Sequence, residues 1–242
     1  ITQSPAAGTW TKGNVTVTLS HAAVSGYTLQ YKIGSGAWTT YSSALTISAN
    51  GTKVTARMYN TTLADEGNSA VSKTISNIDK VAPVTPTSVS ITVGTNSVTA
   101  TATGSSDTLS GFAKYQYSLN NSTWQDSGTF SGIKSGTATT VYARAVDKVG
   151  NVSGSISNKG TTTSLGAVTI TPSTTSWTKG NVTVTLSHAA VSGYTLQYKI
   201  GTGAWTTYSS ALTITDNNTT VYGRMYNATL ADEGNSAVSK TI

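Results

Sequence analysis

At 242 residues the chain is longer than one small domain needs, and with no cysteine it excludes disulfides and thiolate metal sites. Only 10% of residues are charged; Thr, Ser, Asn and Gly carry the polarity, and with abundant Val and Tyr this favours strands over helices and argues against disorder. The formal charge of +6 is scattered without a Lys/Arg run, which excludes the clustered basic footprint of nucleic-acid binding, and no apolar run is long enough to insert in a membrane.

In chain order, Gly13-Asn14 is a turn signal. Val15, Val17 and Leu19 then alternate with Thr16, Thr18 and Ser20, the period of a strand with one buried face. After Ser25-Gly26, Leu29, Tyr31 and Ile33 alternate with Thr28, Gln30 and Lys32. Gly34-Ser35-Gly36 predicts a tight hairpin, with Trp38 and Tyr41 on the returning strand. Leu45 and Ile47 mark another short strand, ended by Asn50-Gly51. Val54, Ala56 and Met58 point one way on the next, with Thr55, Arg57 and Tyr59 opposite. Ala64–Asn68 reads as a polar turn and Ala70–Ile75 as the last strand.

This unit returns. Trp10–Ile75 and Trp177–Ile242 are identical at 58 of 66 positions without a gap. Most of the eight differences fall on the expected outer face, as Lys53→Thr220 and Thr55→Tyr222 do, or in the Ser48–Gly51 turn. Ala56→Gly223 is the exception. The stretch between the copies keeps the skeleton: Tyr117 and Trp124 repeat the Tyr31–Trp38 spacing, and Arg144 matches Arg57 and Arg224. It has no counterpart of Trp10 and Trp177. Two prolines in Asn77–Pro86 stiffen one joint, and Asn158–Ser173 forms the other.

About seven short strands per unit with no helical period predict an all-β chain of three tandem antiparallel β-sandwich domains in an elongated arrangement. The expected modules are 1–80, a divergent 81–164, and 165–242, near-identical to the first. The pattern of Trp, Val-Thr-Val, Tyr–x6–Trp–x2–Tyr, an Arg-bearing strand, Asp–x2–Gly-Asn and Ile-Asp–x3–Pro resembles bacterial immunoglobulin-like or fibronectin type III-like repeats. The first and third modules depart from it at Asn60 and Asn227 and in a longer loop; in the second, Asp126-Ser127 stand in place of Tyr41. The resemblance implies a non-catalytic module of a cell-surface or secreted protein, used for display, spacing or adhesion. Phage structural proteins carry such modules too. The start at Ile1 reads as a fragment of a longer surface chain.

No catalytic set emerges. His21 and His188 are one position seen twice, expected in a turn. Asp65, Glu66 and Asn68, with fewer groups at Asp147 and Asn151, offer hard oxygens for Ca²⁺, but Asp and Asn in such loops more often bond nearby backbone N–H groups. We expect no cofactor and no metal. Lys32 and Lys199 lie on the expected outer face, which argues against an isopeptide cross-link. The ligand-binding candidates are Trp38, Tyr41, Trp205 and Tyr208, which when exposed would stack on a glycan or meet a host protein; the competing expectation is that they fill the core. A spacer, a binding module and a virion or filament component are the three functional classes these observations leave open.

Overall fold

The computed structural model describes residues 1–242 and is all-β, with antiparallel strand pairing in the sheets of both repeats. By compactness the chain divides into two units. One holds Ile1–Ser88, Ala102–Gln116 and Ala143–Ile156; the other holds Val89–Thr101, Tyr117–Tyr142 and Ser157–Ile242.

In the first repeat the strands are β1 (Thr2–Ser4), β2 (Val15–Thr18), β3 (Thr28–Ile33), β4 (Thr39–Thr40), β5 (Leu45–Ile47), β6 (Thr52–Asn60), β7 (Asp65–Glu66) and β8 (Val71–Ile75). They form two sheets, β1–β2–β5 and β4–β3–β6–β7, with β8 also paired to β6. Val15, Val17, Leu45 and Ile47 of one sheet meet Val54, Ala56 and Ile75 of the other in one buried cluster. The alternation read from the sequence is therefore the alternation of burial, because each sheet turns one face to its partner. Two details differ from expectation. The polar Ala64–Asn68 segment contains β7, whose Asp65 and Glu66 pair with Asn60 and Tyr59. Ile33, in phase with the core, is 43% exposed, because it lies where β3 runs out into the Gly34–Gly36 hairpin.

The middle stretch contributes β9 (Ser88–Val93), β10 (Ser97–Thr103), β11 (Phe112–Ser118), β12 (Thr129–Ser131), β13 (Ala138–Asp147) and β14 (Val152–Thr161). Their sheet orders are β12–β10–β9 and β11–β13–β14. Val98, Ala100 and Ala102 are buried on β10, and Val141, Ala143 and Ala145 on β13, again with period two.

The second copy follows the first: β15 (Thr169–Pro172), β16 (Val182–Ser187), β17 (Thr195–Ile200), β18 (Thr206–Thr207), β19 (Leu212–Ile214), β20 (Thr220–Asn227), β21 (Asp232–Glu233) and β22 (Val238–Thr241). The register is kept, with Gln197 opposite Arg224 as Gln30 is opposite Arg57. Asn218 replaces Gly51 at a left-handed turn position, φ +60° against +77°, a region Asn tolerates better than most residues. The exception at Gly223 finds its reason here. A Cβ on Gly223 would lie 2.9 Å from Leu186 Cδ2 and 2.9 Å from Val168 Cγ1. Val168 stands where the first repeat has Ile1, and it is buried while Ile1 is only half-buried. The glycine makes room for a side chain that packs deeper.

Candidate functional site

Trp38 stands just before β4, on the side of the sheet away from the core. Its ring lies under the guanidinium of Arg57, whose Cζ is 4.0 Å from the indole centroid; Lys32 Nζ is at 5.0 Å. The same guanidinium is 4.0 Å from the Tyr59 ring, donates from Nε to Gln30 Oε1 at 3.1 Å and meets Glu66 Oε1 at 2.5 Å. The second copy repeats the arrangement. Arg224 stacks on Trp205 at 4.1 Å and Tyr226 at 4.3 Å, donates to Gln197 at 3.0 Å and pairs with Glu233. In the middle stretch Arg144 donates to Gln116 at 3.1 and 2.8 Å. The Gln–Arg pair across two neighbouring strands is thus common to all three stretches.

Tyr41 takes another place. Its ring packs against the first core and meets Tyr31 edge-on, centroids 6.3 Å apart, and its hydroxyl accepts the Leu19 amide at 3.2 Å. Tyr208 likewise packs against the core of the second copy and meets Tyr198 edge-on, centroids 6.3 Å apart. Each expected Trp–Tyr platform is therefore divided: the tyrosine serves the core and the tryptophan lies against an arginine. A small sandwich needs large rings to fill its interior, which claims the tyrosine. Lys32 and Lys199 sit over the indoles of Trp38 and Trp205, the outer-face position expected of them.

The oxygens considered for Ca²⁺ in the first repeat are each engaged. Asp65 accepts from the Tyr27 hydroxyl, Glu66 pairs with Arg57, and Asn68 Oδ1 accepts the Met58 amide at 2.9 Å. In the second copy Asp232 is buried where Asp65 is exposed. It accepts from the Tyr194 hydroxyl, the Ser135 amide at 2.9 Å and the Ser135 hydroxyl at 3.0 Å. Burial works against its charged form, but these hydrogen bonds and the nearby Lys134 hold the carboxyl below the usual range. Tyr194 is pushed up by burial and by its bond to Asp232.

The densest grouping of acidic chemistry is Asp79, Asp107 and Asp147, whose carboxylate oxygens lie within 4.8 Å of one another. Asp79 is fully buried. It accepts the Val81 and Ser110 amides, both at 2.9 Å. Asp107 accepts the Leu109 amide at 3.0 Å and the Gly111 amide at 2.8 Å. Asp147 accepts the Val149 and Asn151 amides at 2.9 and 2.8 Å, and the Asn151 side chain at 2.7 Å. Each carboxylate closes a turn two to four residues on, and Asp79 also reaches across to Ser110. Asn151 Nδ2 further donates to the Asp79 carbonyl at 3.1 Å. Burial raises the Asp79 carboxyl, but the Ser110 and Val81 bonds outweigh it and leave the group below its usual range. Sequence reading found Asp147 and Asn151 and missed Asp79 and Asp107. The available signal was the recurring spacing of Asp to a glycine or asparagine four residues later, Asp107–Gly111 and Asp147–Asn151.

His21 is exposed, with Nδ1 2.7 Å from the Ala22 carbonyl; His188 is half-buried, with Nδ1 2.6 Å from the Ala189 carbonyl and Nε2 3.0 Å from that of Gly166. Both lie in the irregular segment between a strand and the next turn, engaged with backbone carbonyls. Trp10 is half-buried, whereas Trp177 is 92% exposed. No helix is long and apolar enough to cross a membrane.

No protein family matches the chain, and no curated protein sequence does either. Among solved structures, the FN1–FN3 domains of chicken CNTN1 are similar at 15% identity, over 96% of this chain and 95% of that one, with a TM-score of 0.26.

Proposed function

We propose that the chain is a non-catalytic structural spacer of a bacterial cell-surface or secreted multidomain protein, built from sandwiches at 1–80, 81–164 and 165–242. What supports this is the joint at Ile78–Asp79. Thr11 donates its amide to the Asn77 carbonyl at 2.9 Å and accepts the Asp79 amide at 2.8 Å. Ile78 is 2% exposed and belongs to the first core, and the next side chain, Asp79, is bonded to Ser110. Two successive residues are thus fixed in two different places, so the joint has no slack. A spacer needs such joints more than it needs a cleft, because its output is a held distance.

Small-angle scattering tests the reading. A single globule of this length has a radius of gyration of about 18 Å. A spacer gives a value well above that, and Asp79→Ala broadens its distance distribution. A radius near the globule value, or a glycan array on which the chain binds and Trp38→Ala with Trp205→Ala does not, would replace the spacer by a binding module.

A further inference from the structure

Turn closure accounts for only part of what Asp79, Asp107 and Asp147 do. All three belong to one compact unit. The turns use Oδ1 of Asp107, which accepts the Leu109 and Gly111 amides, and Oδ1 of Asp147, which accepts the Val149 and Asn151 amides. Such turns can close without meeting one another. Here the carboxylate oxygens converge to within 4.8 Å, and no lysine or arginine pairs with any of them. The Lys148 side chain lies over Gly111 but makes no ion pair with the three. Oδ2 of Asp107 accepts no hydrogen bond. Ser110 marks the place independently. It is 4% exposed, and its hydroxyl has no hydrogen-bond partner. The chain sets it among the carboxylates: its own amide bonds Asp79 Oδ2 at 2.9 Å, and the amides on either side of it bond Asp107. The hydroxyl faces Asp79 closely enough to help hold that carboxyl low. A buried polar atom without a partner calls for an explanation, and a cation taking its lone pair supplies one.

We propose that Asp79, Asp107 and Asp147, together with the Ser110 hydroxyl, form a binding site for Ca²⁺. Every donor is a hard oxygen, the set that suits calcium rather than a softer transition metal. A Ca²⁺ bound at about 2.4 Å holds oxygens up to about 4.8 Å apart, so one ion reaches all three carboxylates as they stand; Mg²⁺, at about 2.1 Å, spans only about 4.2 Å and demands a near-ideal octahedron. The turn bonds do not compete, because each carboxylate oxygen has two lone pairs. They hold the ligands in place before the ion arrives. Asn151 braces the same group, donating Nδ2 to Asp147 Oδ2 at 2.7 Å and to the Asp79 carbonyl at 3.1 Å. The ion also turns the mutual repulsion of three carboxylates into attraction, with water completing its six to eight ligands. The sequence expectation of no metal weighed Asp147 and Asn151 within one loop; the site depends on Asp79 and Asp107, distant in the chain. It stands on this geometry and does not need the spacer reading.

The test titrates CaCl₂ into the whole chain after treatment with EDTA, read by calorimetry, by Tm and by the amide shifts of Ser110 and Gly111. We expect one saturable site with a Kd of about 10⁻³ M or tighter, movement of both amides, and a Tm that climbs with the Ca²⁺ concentration. MgCl₂ at the same concentrations acts far more weakly. Asp107→Asn weakens Ca²⁺ binding at least about tenfold, since the ligand charge sets the affinity. The same variant in EDTA melts no lower than wild type, because without the ion it only relieves repulsion. Its effect on Tm therefore changes sign when Ca²⁺ is added, which a purely structural role for Asp107 does not produce. Ser110→Ala keeps the amide on Asp79 and weakens Ca²⁺ severalfold. Glu66→Gln, in the acidic loop already engaged with Arg57, leaves the response intact. The proposal fails if Ca²⁺ gives no saturable response, or if Asp107→Asn or Ser110→Ala binds as tightly as wild type. A response lost in Glu66→Gln would place the ion elsewhere and overturn it as well.

Discussion

The guanidinium of Arg57 lies 4.0 Å from the indole centroid of Trp38, and Arg224 repeats this on Trp205 at 4.1 Å. The stack ties β3, β4 and β6 together on the face away from the core, where a thin sheet has little else to pack. Arg224→Ala is expected to cost about 1–2 kcal/mol, from the lost ring contact and the lost bond to Gln197. Arg224→Lys restores the charge but not the planar contact, so it recovers only part. Glu233→Gln changes little, well under about 1 kcal/mol, because that carboxylate is half exposed. Urea unfolding of the three variants checks the order Ala, Lys, Gln.

Asp79 is bonded to the Val81 and Ser110 amides while fully buried. Asp79→Ala leaves two N–H donors without an acceptor and is expected to cost about 2–4 kcal/mol, since bonds to a charged group are worth about 1.5–3 each and the change also frees the joint. Asp107→Asn is expected to behave differently. It keeps an oxygen for the Leu109 and Gly111 amides but removes one of three charges whose oxygens lie within 4.8 Å. Its melting temperature should be equal to or above wild type at low salt, with the difference shrinking as salt rises. Limited proteolysis around residues 76–86 reports the joint directly: faster cleavage in the Asp79 variant, unchanged cleavage in the Asp107 variant.

The strands were legible because burial alternates with the same period as the side chains; Val15, Val17 and Leu19 need nothing more than their spacing. The partition of Trp38 and Tyr41 was not. Both are aromatic and near a hairpin, and only the partner across the sheet, Arg57 for one and the core for the other, decides the face. Asp79, Asp107 and Asp147 lie tens of residues apart, so nothing local announces that they meet. Trp10 and Trp177 show the limit most plainly: each is followed by the same residues through the next strand, yet one is half-buried and the other exposed.

Asp232 sets a pH dependence on the acid side of the stability curve. Hydrogen bonds from Tyr194 and Ser135 hold the folded carboxyl below its ordinary value of about 3.9. Below that value the unfolded chain takes up its proton first, so stability falls as pH drops through the folded pKa and is fully present above about pH 5. Tyr194 acts at the other end. Its folded pKa is raised, so its contribution is complete below about pH 10 and is lost as pH rises through the folded value. Asp232→Asn should flatten the acid limb of a stability–pH curve measured by urea unfolding; an unchanged acid limb would remove Asp232 as its source.

Gly223→Ala puts back the residue that the first repeat carries at Ala56. Its Cβ would meet Val168 Cγ1 and Leu186 Cδ2 at 2.9 Å each, closer than methyl contacts tolerate. Leu186 can turn its tip aside, but Val168 is branched at Cβ and buried, so it cannot. The expected cost is about 1–3 kcal/mol of overpacking, despite a gain in strand propensity over glycine. Val168→Ala combined with Gly223→Ala should recover most of it, because the double variant removes the methyl that clashes. If the single variant were as stable as wild type, the deep seating of Val168 would not be what the glycine serves. Thermal unfolding of the two singles and the double, read as a cycle, gives the coupling directly, and a negative interaction energy of about 1 kcal/mol or more is the expected result.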